Sequence, residues 1–153
     1  MSFMRDIAIC WRCANLYRAS RFEKYGFSCY QYTYILSVCD NPGIAQDKLA
    51  KTIYVHKSNA ARQLAALEEK GFVTRAPDPD DKRILRVYPT EKAFDAVPII
   101  KEVLSDYNSL LLEGLPEEEI ALLESTMQLL ADKSRKIAEQ LECTERDCGD
   151  RRE

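Results

Sequence analysis

The spacing of apolar residues along this chain predicts six helices and one β-hairpin. In the helical segments apolar side chains recur every three or four positions, and glycine or proline follows most of these segments. Ser28 is the predicted N-cap of the second helix, and Thr90 is that of the fifth. The predicted helices cover residues 3–25, 29–40, 46–52, 57–70, 91–113 and 116–141.

Between the fourth and fifth helices the pattern changes to short runs that alternate or contain β-branched residues. Residues 72–76 and 83–89 form these runs, and the charged, turn-rich segment 77–82 separates them. We therefore expect a hairpin with a charged tip. The whole pattern predicts a mostly α fold with a small β-hairpin wing, in which a winged helix-turn-helix is flanked by terminal helices.

The third and fourth helices have the pattern of a helix-turn-helix. Ala50 and Ala60 are small enough for two helices to cross closely, and Ile53 and Val55 are positioned to fill the turn. Arginine can bind guanine edges, asparagine and glutamine can bind adenine, and lysine and serine suit phosphates. An ordinary solvated helix face would look similar. The polar face of the fourth helix consists of Lys57, Ser58, Asn59, Arg62 and Gln63.

The charged hairpin directly after this helix favours the DNA-binding interpretation. Lys82, Arg83 and Arg86 are predicted to lie against a minor groove, whose narrowness strengthens the negative potential that attracts arginine. Asp81 precedes Arg83 by two positions and is expected to orient it, although an ordinary surface pair would have the same spacing.

The segment "QDKLAKTIYVHKSNAARQLAALEEKGFVTRAPDPDDKRILRVYPTEKA" resembles the MarR family of transcriptional regulators. It contains a helix-turn-helix, a Leu-Glu-x-Lys-Gly helix end and an Asp-x-Arg wing that resemble those of the family. The family's Leu-Thr-x-x-Gly element is altered here, because Pro89 and Ala93 stand where leucine and glycine are usual. These departures affect the junction between strand and helix rather than the predicted DNA contacts.

The resemblance implies a homodimer that binds a near-palindromic operator in double-stranded DNA and acts as a repressor. Apolar surface on the terminal helices supports a partner independently. The implied organisation is an N-terminal dimerisation helix (1–28), a winged helix-turn-helix (29–89), C-terminal dimerisation helices (90–141) and a disordered tail (142–153). A winged-helix module that binds only proteins is the alternative outside DNA recognition.

The signal that such a regulator senses has two candidate sources in the sequence. The segment from Cys13 to Tyr17 resembles the sensing segment of family members that respond to organic hydroperoxides, and Cys10 lies one helical turn away. The alternative is a small aromatic or anionic effector in a pocket formed by Trp11, Tyr17, Tyr30 and Tyr34. Cysteines and aromatic residues with this spacing also occur as ordinary core residues.

Charge and chemistry narrow the function further. The net charge is −3, but residues 45–92 carry ten Lys/Arg against seven Asp/Glu, so this segment can face nucleic acid.

The only histidine is His56, and no phosphate loop or nucleophile set accompanies it, so we expect no enzyme and no cofactor. The six cysteines are poorly spaced for a metal site, even with Cys143 and Cys148 included. The sequence shows neither the pattern of a membrane span nor that of a secretory signal, so we expect a cytoplasmic protein.

Overall fold

The computed structural model describes the backbone of residues 2–149 and the side chains of residues 2–140. It confirms the predicted fold class, because helices dominate and the strands form one small antiparallel sheet. A single turn of 3-10 helix, Glu23–Tyr25, follows the first helix. The other elements in chain order are α1 (Phe3–Phe22), α2 (Tyr32–Asp40), β1 (Ile44–Ala45), α3 (Gln46–Thr52), α4 (Lys57–Glu69), β2 (Val73–Pro77), β3 (Leu85–Pro89), α5 (Glu91–Leu112) and α6 (Glu117–Gly149).

The chain divides into two compact units, of which the first extends to Ser109. The hydrophobic core of this unit draws on every helix from α1 to α5 and on the sheet. Burial of such side chains is the main stabilising contribution to a fold of this size. The largest side chains that are completely or almost completely buried are Phe22, Ile35, Leu49, Leu64, Leu67, Phe72 and Ile100.

The helix-turn-helix is formed by α3 and α4, as predicted. Ala50 and Ala60 are buried, which allows the two helices to approach closely, and Ile53 and Val55 pack against the core from the turn. Tyr54, also in this turn, has a φ of 56°, a left-handed conformation that side chains with a Cβ rarely adopt. The turn therefore holds its central residue under backbone strain.

The predicted hairpin is present and is joined by a strand that the sequence pattern did not predict. The sheet order is β1-β3-β2 and both pairings are antiparallel, with Ile44 opposite Val87 and Arg75 opposite Val87 on the other side. β1 has only two residues, too few to show an alternating pattern. It attaches the start of α3 to the wing.

The prediction that Ser28 caps the second helix is wrong, because α2 begins at Tyr32. The intervening residues form a turn in which the backbone N–H of Gln31 donates to the carbonyl of Ser28 (3.0 Å). The backbone N–H of Ser28 in return donates to Oε1 of Gln31 (3.1 Å). These two bonds close a turn of residues 28–31, and α2 begins after it. By contrast, Thr90 caps α5 as predicted, since its Oγ1 accepts from the N–H of Ala93 (3.4 Å).

The second unit begins at Leu110 and consists mainly of α6. Three carboxylates, Glu117 to Glu119, occupy the first turn of α6, where the positive end of the helix dipole favours them. The helix continues past the predicted end at Leu141 to Gly149; the remainder of the expected tail, with the side chains of Cys143 and Cys148, lies outside the described residues. Within the described part of the chain, no helix is long and apolar enough to cross a membrane.

Candidate nucleic-acid interface

His56 defines the start of α4, the predicted recognition helix. Its ring Nδ1 accepts a hydrogen bond from the backbone N–H of Ser58 (3.3 Å) and lies 2.7 Å from the Oγ of Ser58. A side-chain acceptor of this kind satisfies one of the backbone donors left free at a helix N-terminus. The single histidine is therefore an N-cap that orients the first turn of α4.

The predicted DNA-binding residues of α4 divide into an exposed and a half-buried group. Lys57, Ser58 and Arg62 are exposed, while Asn59 is half-buried. The Nη2 of Arg62 donates to the Oδ1 of Asn59 (3.2 Å), so the two side chains are oriented together. This leaves the remaining guanidinium donors of Arg62 at the surface, where an arginine can form paired hydrogen bonds with a base edge.

Gln63 differs from the other predicted contacts because it faces α2. The Nε2 of buried Gln31 donates to the Oε1 of Gln63 (3.1 Å), and the Oε1 of Gln31 accepts from the Nζ of Lys70 (3.0 Å). Gln31 therefore links the turn before α2 to the middle and the C-terminal end of α4. Helical periodicity alone assigned Gln63 to the outward face, because it could not detect a partner 32 positions away.

The base of the wing is held by Asp78, which is 5% exposed. Its Oδ1 accepts the backbone N–H groups of Asp80 (2.8 Å) and Asp81 (3.1 Å), and its Oδ2 accepts from the Nε of Arg86. The backbone hydrogen bonds, followed by the bond from Arg86, hold the pKa of Asp78 below its usual range. Asp78 was not predicted from the sequence, although an aspartate that opens a proline-rich turn commonly bonds to the backbone after it.

Arg86 lies in β3 rather than at the wing tip, which corrects its predicted position. Besides its bond to Asp78, its Nη1 donates to the carbonyl oxygen of Gly43 (2.9 Å), next to β1. Arg86 thus joins the wing turn to the residue that precedes β1. The side chain of Arg86 is half-buried in these contacts, and they hold the wing in position.

The wing tip carries Lys82 and Arg83, and the arginine is oriented by Asp81 as the sequence analysis expected. The Nε and Nη2 of Arg83 each donate to the Asp81 carboxylate (3.0 Å), and its backbone N–H also donates to that carboxylate (3.1 Å). The side-chain bond from Arg83 holds the pKa of Asp81 below its usual range. The Arg83 side chain is 91% exposed, so its guanidinium can reach a ligand outside the protein.

A third ion pair, between Arg75 and Glu68, connects the wing to the helix-turn-helix. The Nε and Nη2 of Arg75, on β2, donate to Oε2 of Glu68 on α4 (3.0 and 2.8 Å), and its Nη1 donates to Oε1 of Gln46 on α3 (3.3 Å). The hydrogen bond from Arg75 lowers the pKa of Glu68. One side chain therefore fixes the relative position of α3, α4 and the hairpin.

Residues of α4 and of the wing meet at one cleft, which we call the basic cleft. It has a volume of about 430 Å³ and lies between α3, the start of α4 and the residues that lead into β3. Its charged side chains are Asp47, Lys48, Lys51, Lys57 and Arg83. Lys57 and Arg83 are predicted from the sequence, whereas the lysines of α3 are not, because nothing local indicates that α3 faces the wing.

A second cleft, which we call the aromatic cleft, has a volume of about 400 Å³. Three of the four predicted pocket residues, Trp11, Tyr30 and Tyr34, line it, and Tyr32 adds a further ring. The fourth, Tyr17, is not among the residues that line this cleft; its ring packs against Tyr107, with 5.1 Å between ring centroids. Asn15, Cys29, Thr33, Ile53, Val55, Asn59 and Gln63 complete the lining.

The four cysteines whose side chains the structure describes differ in exposure. Cys10 and Cys13, both on α1, are exposed, so the interpretation of these two residues as buried core side chains does not hold in this structure. Cys29 is buried and Cys39 is half-buried, and burial raises the pKa of both thiols. A raised pKa reduces the thiolate fraction, which is the reactive form. Among the four cysteines whose side chains the structure describes, the two on α1 are therefore the most accessible to an oxidant.

Fold and site together define a winged helix-turn-helix protein of the DNA-binding class. The MarR family model matches residues 28–85, from the turn before α2 to the start of β3. A helix-turn-helix transcriptional regulator of Bacillus subtilis (strain 168), YybA, is 31% identical over 136 residues, which cover 89% of this chain and 88% of that protein. The chain belongs to the MarR family of transcriptional regulators.

Solved structures agree with this assignment over most of the chain. The crystal structure of the transcriptional regulator SlyA has a TM-score of 0.85 and 33% sequence identity, covering 92% of this chain and 99% of that one. A MarR family regulator from Listeria monocytogenes, solved in complex with a 26mer DNA, has a TM-score of 0.79 and 25% identity. That match covers 87% of this chain and 89% of the Listeria protein.

Proposed function

We propose that this protein is a homodimeric repressor that binds a near-palindromic site in double-stranded DNA and is released by a small ligand. The observation that carries the DNA-binding part is the basic cleft, in which Lys57 of α4 and Arg83 of the wing line one surface. A winged helix can bind one duplex with both elements only if helix and wing face the same side. The Listeria relative was solved in complex with a 26mer DNA, which supports DNA binding by this chain.

In this proposal the N-terminal half of α4 enters the major groove. Arg62, oriented by Asn59, contacts a base edge, while Lys57 and Ser58 contact backbone phosphates. Gln63, held by Gln31, sets the rotation of α4 rather than reading a base. Phosphate contacts fix the position of the protein on DNA, and base contacts supply the sequence preference.

The wing is proposed to follow the minor groove. Arg83 is the inserted cation, Asp81 keeps its guanidinium in one orientation, and Lys82 faces the adjacent backbone. Preorganisation by Asp81 reduces the side-chain entropy that Arg83 loses on binding. Asp78 and Arg86 do not contact DNA in this proposal; they stabilise the turn that carries Asp81 and Arg83.

Dimerisation is proposed to involve the terminal helices. Large apolar side chains are exposed on α1 in the first unit and on α6 in the second, including Ile9, Trp11 and Leu16 on the former and Leu122, Leu129 and Ile137 on the latter. Apolar surface of this extent usually contacts a partner. A second copy also explains how two recognition helices reach a two-fold symmetric operator.

Release by a small aromatic or anionic ligand is proposed to begin in the aromatic cleft. Among the described residues, the hydroxyl of Tyr34 and the Nδ2 of Asn15 are buried without a hydrogen-bond partner. A ligand with polar groups could satisfy both, and buried polar atoms are rarely left unpaired. Because Asn59 and Gln63 of α4 also line the cleft, such a ligand would contact the recognition helix directly.

Oxidation is the second candidate signal, and the exposure of Cys10 and Cys13 favours it. Modification of these thiols would alter the surface of α1, one of the helices proposed to form the dimer. Mild peroxide would then reduce DNA binding, and a thiol reductant would restore it.

Selection of bound sequences from randomised duplex DNA at near-physiological salt tests this proposal. Enrichment of a two-fold symmetric site is expected, and its loss in peroxide with recovery in thiol would identify the oxidative signal. If no sequence is enriched at any salt concentration, the winged-helix protein-interaction module becomes the better account. Binding that weakens steeply with salt is also expected, because DNA contacts release counterions.

Arg62→Ala, with Lys101→Ala on α5 as an exposed control, tests the recognition helix. The first variant should lose about 1–3 kcal/mol of binding free energy on the selected site and much less on random duplex. The second should retain the affinity of the unmodified protein. An equal loss on both duplexes by Arg62→Ala would instead assign this arginine to a phosphate.

A further inference from the structure

One carboxylate lies inside the otherwise basic cleft. The Oδ2 of Asp47, the second residue of α3, lies 2.6 Å from the Nζ of Lys57, at the start of α4. Both side chains are well exposed, at 59% and 63% respectively. An exposed pair of this kind adds little to the stability of a fold. Its position suggests a role in binding instead.

The charges that line the cleft indicate what kind of ligand it receives. Lys48, Lys51, Lys57 and Arg83 present four positive groups, and Asp47 is the only acidic side chain among the lining residues. A phosphodiester oxygen is attracted by the four cations and repelled by the carboxylate. The carboxylate of Asp47 also accepts a hydrogen bond from the ammonium of Lys57, which can otherwise donate to a phosphate.

We propose that the basic cleft binds a phosphate of the DNA backbone and that Asp47 weakens this contact by pairing with Lys57. This inference rests on the proposed DNA-binding function. Asp47 is then a negative determinant of affinity for every duplex, whatever its sequence, because a phosphate contact carries no sequence information. The protein keeps its affinity for random DNA low without changing the base contacts of α4.

The test compares Asp47→Asn with Asp95→Asn, which makes the same change of charge at an exposed position on α5. Fluorescence anisotropy measures the affinity for the selected site and for random duplex over a series of salt concentrations. Asp47→Asn should bind both duplexes about three- to tenfold more tightly at low salt. The slope of log K against log salt should steepen by at most about 0.9, the value for one complete phosphate contact, because Asp47 weakens this contact without removing it. Asp95→Asn should differ less than about twofold from the unmodified protein, since it lies outside the cleft.

A second variant separates this contact from a general charge effect. Adding Lys57→Met to Asp47→Asn should abolish both the tighter binding and the steeper slope, because Lys57 is the cation that is released. Unchanged affinity of Asp47→Asn, with normal binding by the unmodified protein, would overturn the inference and leave DNA binding intact. Weaker binding to the selected site alone would also overturn it, because Asp47 would then position Lys57 for a base contact. If neither protein binds any duplex, the proposed function itself fails.

Discussion

Glu68 connects three elements of the winged helix through Arg75, and its replacement by glutamine tests this connection quantitatively. Glu68→Gln retains the shape of the side chain and an acceptor oxygen but removes the negative charge that faces the guanidinium. The Arg75 side chain is only 19% exposed, so water compensates poorly for the lost partner. We therefore expect the folded state to become less stable.

The size of the effect follows from the contacts. Hydrogen bonds to charged groups contribute about 1.5–3 kcal/mol each in net terms, and Arg75 makes two side-chain bonds to Glu68. The Glu68 side chain is 37% exposed, however, so solvent screening reduces the contribution of the charge. The variant retains one neutral acceptor. A loss of about 1–2 kcal/mol in the free energy of unfolding is therefore expected.

The pH dependence has a defined sign. The hydrogen bond from Arg75 lowers the pKa of Glu68 in the folded state below its ordinary value of 4.5. The stabilisation is therefore fully present above the unfolded-state pKa, and it is lost as the pH falls through the lower folded-state pKa. The difference in stability between the unmodified protein and Glu68→Gln should shrink once the pH passes below the usual range of a glutamate.

Urea unfolding, followed by circular dichroism at one protein concentration from about pH 7 to about pH 3, measures both quantities. Glu69→Gln, the same change at the next, exposed position of α4, is the matched control and should alter stability by less than about 0.5 kcal/mol. Equal effects of the two substitutions, or a difference for Glu68→Gln that persists unchanged in acid, would refute the reasoning.

Three further substitutions test the helix-turn-helix and the wing. Leu64→Ala removes a completely buried side chain from α4 and should lower the free energy of unfolding by about 2–5 kcal/mol in urea titrations; a loss below about 1 kcal/mol would contradict its assignment to the core. Tyr54→Gly relieves the strain at φ 56° and should stabilise the fold by about 1 kcal/mol, so a lower Tm would show that the tyrosine side chain contributes more than its conformation costs. Gly43→Ala introduces a Cβ at φ +81° about 3.1 Å from the Tyr88 ring and should lower the Tm, whereas an unchanged Tm would mean that neither the backbone conformation nor the ring opposes a side chain here.

Local patterns were sufficient to predict most of the fold. The apolar spacing predicted α3, α4 and the hairpin, because a helix or strand buries one face and its period is visible in the residues themselves. Small alanines at the helix crossing and the Asp81–Arg83 pair were also predicted, since each depends on neighbours only a few positions away. The start of α2 was predicted too early because a capping residue type also favours a separate turn, and residues 28–31 form such a turn before α2 begins.

The tertiary structure alone decided how these parts act together. Gln31 pairs with Gln63, Arg75 with Gln46, and Arg86 with the carbonyl of Gly43, at separations of 32, 29 and 43 residues. The direction of these side chains depends on how separate elements pack, which no periodicity encodes. By itself, the sequence predicted which helix and hairpin form the proposed DNA-binding surface. Packing determined that Arg86 supports the wing, that Gln63 faces α2, and that a carboxylate lies among the cations of the basic cleft.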